Sequence, residues 1–281
     1  MVEYQLNLSG CECAVAEWNP ESNNLVFALH GWLDNLATFQ KLAECMPELR
    51  IVAVDFPGHG HSAHLEEGLA YHFYDGIYLI SDLAKHFKQK KIKLLGHSMG
   101  AAISSVFAAS QPELVSGLVM IESLGPLTAS EEEIQELFAN SIVQRQLLAS
   151  KKKPVYPDFE SALRVRAEAS KIAPEHIKPL VERGLDRVNE GYTWRADSRL
   201  RVISPIRLSE PFLRNLLNQI TCPVLLIEGS QGYLAGVEKF QQRKTCYQQL
   251  QQVKLVGGHH VHLEQPSDSA EHITGFFSKI D

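Results

Sequence analysis

The sequence predicts an α/β fold: a mostly parallel sheet with helices on both faces and an inserted helical cap. Three observations predict it. Short apolar runs recur along the chain and are blunt rather than alternating, as expected of strands buried on both faces. Helical periodicity fills the intervals between them. The alternation is broken once, by roughly ninety residues of helical pattern with several prolines, too long for a plain loop.

Tyr4–Leu8 and Cys11–Trp18 alternate around Ser9-Gly10 and predict an antiparallel hairpin. The blunt strands follow: "LVFALH" (25–30), "RIVAVD" (50–55), "IKLLGH" (92–97), "LVMIE" (118–122), "VLLIE" (224–228) and "QVKLV" (252–256). Helices are predicted over Thr38–Cys45, Tyr74–Lys88, Ala101–Ser110, Val237–Gln249 and Asp268–Lys279. The core therefore falls into two parts, residues 1–124 and 219–281, with the cap over 125–218 between them.

Composition narrows the function classes. The 281 residues are 44% hydrophobic and 21% charged, ordinary for a globular protein, and contain no apolar run of membrane-spanning length. A formal charge of -6 offers no basic field for nucleic acid. Five scattered cysteines without a C-x-x-C pair argue against a disulfide framework or a zinc site. The first residues, "MVEYQLNLSG", have neither the basic start nor the apolar stretch of a signal peptide, so a cytoplasmic location is expected. No cofactor or metal is expected. Two histidine clusters, His259/His260/His262 and His59/His61/His64, have the residue type for metal, but no helix presents them as paired ligands.

The chemistry concentrates at Gly96-His97-Ser98-Met99-Gly100, between a buried strand and a helix of small residues. G-x-S-x-G in that setting is a strand-to-helix turn too tight for a Cβ at either glycine, and it pushes Ser98 toward solvent. Unpaired N–H groups at the helix start favour negative charge developing beside it. A second donor is expected from Trp32, since His30-Gly31 ends a buried strand and leaves its backbone N–H free. Trp32 and Met99 thus form the expected oxyanion hole. Trp32 and His97, beside these two turns, are the residues expected to contact substrate.

Three motifs occur in order: "HGW", then "DFPGHGHS" (55–62), then "GHSMG". With them the chain resembles the α/β-hydrolase family, and in motif its serine hydrolase-like branch. Members with haloalkane or epoxide chemistry resemble this core but carry Asp where this chain has Ser98. The resemblance implies a base after the last strand, where His259 of "GGH" matches. It also implies an acid between Ser98 and His259, which many members place in G-x-x-D after the late strand. Here that spacing from Gly229 falls on Gly232. Two carboxylates remain, Glu122 at the end of the strand following the nucleophile helix and Glu228. Some family members carry their acid at the position of Glu122, which is the favoured choice.

The expected activity is cleavage of a small acyl substrate, a carboxylic ester or thioester, by a Ser98-His259-Glu122 triad through an acyl-enzyme. The partner is a small molecule and the chain a monomer or homodimer. The alternatives are carbon–carbon bond hydrolysis by the same apparatus with a cap arginine, or a ligand-binding module without catalysis.

Overall fold

The computed structural model describes residues 1–148 and 150–280. Eight strands make the main sheet: β1 (Val2–Leu8), β2 (Cys11–Trp18), β3 (Leu25–Leu29), β4 (Arg50–Val54), β5 (Ile92–His97), β6 (Val115–Ile121), and, after the cap, β10 (Val224–Gly229) and β11 (Leu250–Leu255). Their order is β1-β2-β4-β3-β5-β6-β10-β11, antiparallel at the β1/β2 and β2/β4 pairings and parallel elsewhere. Ser9 and Gly10, with φ of 51° and 77°, make the tight turn between β1 and β2.

Around the sheet lie α1 (Gln40–Glu44), α2 (Gly76–His86), α3 (Met99–Ser110), α8 (Glu238–Lys244), α9 (Val261–Glu264) and α10 (Pro266–Phe277). The helix read over Val237–Gln249 is the short α8, followed by turns. Strand periodicity divides the core. Phe27, Leu94, Leu118, Met120 and Leu226 pack on one face, whereas Val26, Ala28, Leu95, Val119, Ile121 and Ile227 pack on the other. Burial on both faces is the physical reason these strands read as continuous apolar runs.

Between β6 and β10 the chain forms α4 (Glu131–Leu148), β7 (Val155–Tyr156), α5 (Phe159–Ser170), α6 (Pro174–Gly184), β8 (Leu185–Val188), β9 (Gly191–Trp194) and α7 (Glu210–Leu217). This segment, where a helical cap is expected, is therefore not wholly helical, because β7, β9 and β8 pair as an antiparallel sheet. Its strands are short and half-exposed, so they lack the apolar run by which sequence reveals a strand. Arginines fasten the cap to the core. Arg183 binds Asp55 and Glu3, and Arg199 spans Asp197 and the carbonyls of Leu65, Glu66 and Leu69. No described helix is long and apolar enough to cross a membrane.

Candidate active site

The site lies at the carboxyl ends of the parallel strands, where open α/β sheets place their ligands. Ser98 follows β5 at φ 50° and ψ -112°, a strained conformation for a residue with a Cβ. The surrounding glycines make the turn possible. A Cβ on Gly96 would lie 2.3 Å from Ala101 Cα, and one on Gly100 would lie 2.0 Å from the Leu29 carbonyl oxygen. Substituting either would thus displace backbone rather than a side chain. Met99 begins α3, so its N–H has no carbonyl one turn earlier to bind.

Ser98 Oγ lies 2.9 Å from His259 Nε2, and His259 Nδ1 lies 3.3 Å from Glu122 Oε2. The orientation is consistent with Ser98 Oγ–H and His259 Nδ1–H each donating to the next group. His259 stands in the loop between β11 and α9 and its side chain is about one-third exposed, whereas Glu122 is 1% exposed. Glu122 directly follows β6 at φ 53°, which turns its side chain back across the ends of the strands. Its carboxylate accepts the Gly229 N–H at 2.7 Å on Oε1 and the Tyr233 N–H at 2.6 Å on Oε2. These bonds orient the group and satisfy its burial.

Gly232 explains how a glutamate fits there. A Cβ at 232 would come within 2.2 Å of Glu122 Oε1 and 2.3 Å of Oε2. The position that reads in the sequence as a missing acid is the space that the Glu122 carboxylate fills. Glu228 points elsewhere and pairs with Lys244 at 2.8 Å.

Behind the histidine is a buried charge network that sequence reasoning did not find. Asp34 Oδ2 lies 3.2 Å from His260 Nε2 and 3.4 Å from His97 Nδ1, and its other oxygen accepts from Arg166 of the cap. Burial raises the Asp34 pKa, but His260, His97 and Arg166 outweigh it and hold the group well below the usual carboxylate range. His97 Nε2–H in turn donates to the His259 carbonyl at 2.9 Å. The expectation that His97 contacts substrate is corrected: its side chain is buried in this network, and it does not line the cavity. Strand alternation turns it away from the face that Ser98 occupies. Asp34, His97 and His260 bring three potential ligand atoms within 4.8 Å of one another, but the Arg166 guanidinium already supplies positive charge to the same carboxylate.

Burial depresses two further histidines, His30 to a pKa of about 4 and His59 to about 3. His30 Nε2 accepts the Phe56 N–H at 3.0 Å, and its Nδ1–H donates to the Gly31 carbonyl at 2.7 Å. His30 thereby ties the turn carrying Trp32 to the end of β4.

A cavity of about 1090 Å³ opens over Ser98, with Trp32, Met99, Glu122, Tyr233 and His259 in its wall. Trp32 is half-exposed, and its indole Nε1–H donates to the Leu200 carbonyl at 2.9 Å. The cap's contribution was not legible in sequence. The large apolar residues Leu137, Phe138, Ile142, Tyr156, Phe159 and Trp194 do not line the cavity. Most of Leu200–Arg207, which leaves a short 3-10 helix (Ser198–Arg201) and continues without regular structure, lines it instead.

A family model described as alpha/beta hydrolase fold matches residues 24–266. The chain belongs to the α/β-hydrolase family. It is a hydrolase with this family's eight-stranded sheet. This α/β-hydrolase is 32% identical to a serine hydrolase-like protein of Dictyostelium discoideum, over 95% of this chain and 79% of that protein. A crystal structure of a hypothetical protein from Pseudomonas aeruginosa PAO1 superposes with a TM-score of 0.93 at 35% identity, covering 99% of this chain and 100% of that one. A thioesterase domain from the curacin biosynthetic pathway superposes with a TM-score of 0.84 at 26% identity, covering 97% and 98%.

Proposed function

We propose that this serine hydrolase cleaves a carboxylic ester or thioester of a small acyl group through a Ser98-His259-Glu122 triad. The observation that carries the reading is the continuous line of contacts from Ser98 Oγ through His259 to Glu122, at 2.9 and 3.3 Å. Relatives named serine hydrolase-like and a structural neighbour named thioesterase support the reaction class.

Ser98 Oγ attacks the acyl carbon as His259 Nε2 takes its proton. Glu122 keeps the Nδ1–H tautomer facing it and stabilises the imidazolium that results. The N–H groups of Met99 and Trp32 receive the oxyanion, for which each donor contributes about 10²–10³ in rate. His259 then gives its proton to the leaving oxygen or sulfur, and water, activated by the same histidine, releases the acid. Trp32 forms the wall beside the acyl carbon, while residues 125–218 serve as the cap and residues 1–124 and 219–281 as the two parts of the core.

Turnover of short p-nitrophenyl esters and of acyl-N-acetylcysteamine thioesters tests the reading. Hydrolysis of at least one series should disappear in a folded Ser98→Ala variant. Activity that survives this substitution at the wild-type level rejects the triad.

A further inference from the structure

The cap reaches the cavity chiefly through the segment from Leu200 to Arg207, which is held across the opening at several points. Trp32 Nε1–H binds the Leu200 carbonyl at 2.9 Å, and the Ile203 N–H donates to Gln144 Oε1 at 2.8 Å. Just past the segment, the Ala129 N–H donates to the Leu208 carbonyl at 3.1 Å. Most of the residues between these anchors line the cavity, Arg201 and Arg207 among them.

Those two arginines differ from the others that tie the cap down. Arg166 is committed to Asp34, Arg183 to Asp55 and Glu3, Arg195 to Asp186 and Arg199 to Asp197. Among the described residues, neither the Arg201 nor the Arg207 side chain makes a hydrogen bond or ion pair. The acids in the same wall do not answer them. Glu122 is held by Gly229, Tyr233 and His259, Asp82 accepts from the Ser9 N–H and Oγ–H, and Asp75, at the start of α2, forms no ion pair. Two arginines without a side-chain partner, Arg201 exposed and Arg207 partly exposed, therefore line the cavity together with apolar residues that include Phe73, Leu79, Ala102 and Ile103.

A guanidinium presents a planar fork of donors that matches a carboxylate or a phosphate. We propose that Arg201 and Arg207 form an anion subsite, and that the natural substrate is an acyl ester or thioester carrying a carboxylate or phosphate besides the bond that is cleaved. This rests on the hydrolase reading above. The apolar wall takes the hydrocarbon of the acyl group while the arginines hold the charge. The anion can belong to the far end of the acyl chain or to the leaving group, since both arginines line the cavity that contains Ser98.

Two matched substrate pairs test the subsite and separate its sources. Mono-p-nitrophenyl suberate against p-nitrophenyl octanoate varies a carboxylate on the acyl side. Octanoyl-coenzyme A against octanoyl-N-acetylcysteamine varies phosphate on the leaving-group side. In at least one pair the anionic member should have the higher kcat/KM by about 10- to 100-fold, the range of a charge-assisted hydrogen bond. That ratio should fall toward unity in an Arg201→Gln/Arg207→Gln double variant and be partly kept with lysine at both positions. Equal kcat/KM within both pairs, or a preference unchanged in the double variant, overturns the subsite while Ser98-dependent ester turnover keeps the hydrolase reading. If no ester is turned over, the hydrolase reading fails, and calorimetry with suberate and with coenzyme A on the Ser98→Ala protein decides the subsite separately. Binding that the arginine substitutions abolish supports it, and no binding rejects it.

Discussion

Gly232 makes the identity of the triad acid testable by a substitution that replaces no proposed catalytic residue. Its φ is not in the left-handed region, so alanine can adopt the same backbone, and any effect arises from the added methyl. That methyl would meet Glu122 Oε1 at 2.2 Å, where ordinary contacts begin near 3.4 Å, so the carboxylate must retreat by more than about 1 Å. His259 Nδ1 and Glu122 Oε2 are already 3.3 Å apart, and a further displacement of that size leaves no hydrogen bond. Gly232→Ala should therefore approach the loss expected of Glu122→Gln, about 10²–10⁴ in kcat, with KM changed far less. Initial rates on a p-nitrophenyl ester, with far-ultraviolet circular dichroism to confirm the fold, provide the assay. In a Glu122→Ala background the space is empty, and Gly232→Asp should recover about tenfold or more by restoring a carboxylate beside His259. A folded Gly232→Ala protein with wild-type kcat would show that Glu122 does not act through His259, and the reasoning would fail.

Other residues give further outcomes. Glu228→Gln removes the partner of Lys244 and should lower stability by about 1 kcal/mol with kcat within about threefold of wild type, read from urea midpoints and ester kinetics. A larger rate loss would return the acid's role to Glu228. Asp34→Asn leaves Arg166 without its charge partner and weakens the support of His97 and His260. It should cost about 3–5 kcal/mol, and a urea-unfolding change under about 1 kcal/mol would contradict the network's role. Acid should destabilise the protein before its carboxylates protonate. Burial lowers His30 to about 4 and His59 to about 3, so between these values and about pH 6.5 the unfolded chain binds more protons than the folded one. Stability is then complete above about pH 6.5 and falls by up to about 1.4 kcal/mol per pH unit for each histidine below it. Urea midpoints that do not move between about pH 7.5 and pH 5 would contradict the neutral burial of both.

What could be read in the sequence follows from how regular the local physics is. The central strands β3, β4, β5, β6 and β10 were legible because both of their faces are buried, whereas β11, at the sheet edge, is half-buried to exposed along its length; the elbow was legible because Gly96 and Gly100 are required sterically. The Glu122 choice came from resemblance, while its fit depended on Gly232, a residue 110 positions downstream (122 to 232) in a loop whose path no periodicity reveals. His97 was misplaced because its neighbour Ser98 is at the site, yet adjacent residues leaving a strand face opposite ways. The cap was the least legible part. Its small sheet is half-exposed, and Leu200–Arg207 carries no helix or strand pattern although most of it lines the cavity.

The central claim is that Ser98 is a nucleophile activated by His259, and labelling with a fluorophosphonate tests it most directly. Intact mass followed by peptide mapping should find a single adduct on Ser98, absent in Ser98→Ala and formed at least about 10²-fold more slowly in His259→Gln. A folded protein that takes no label, or takes it on another residue, would contradict the account.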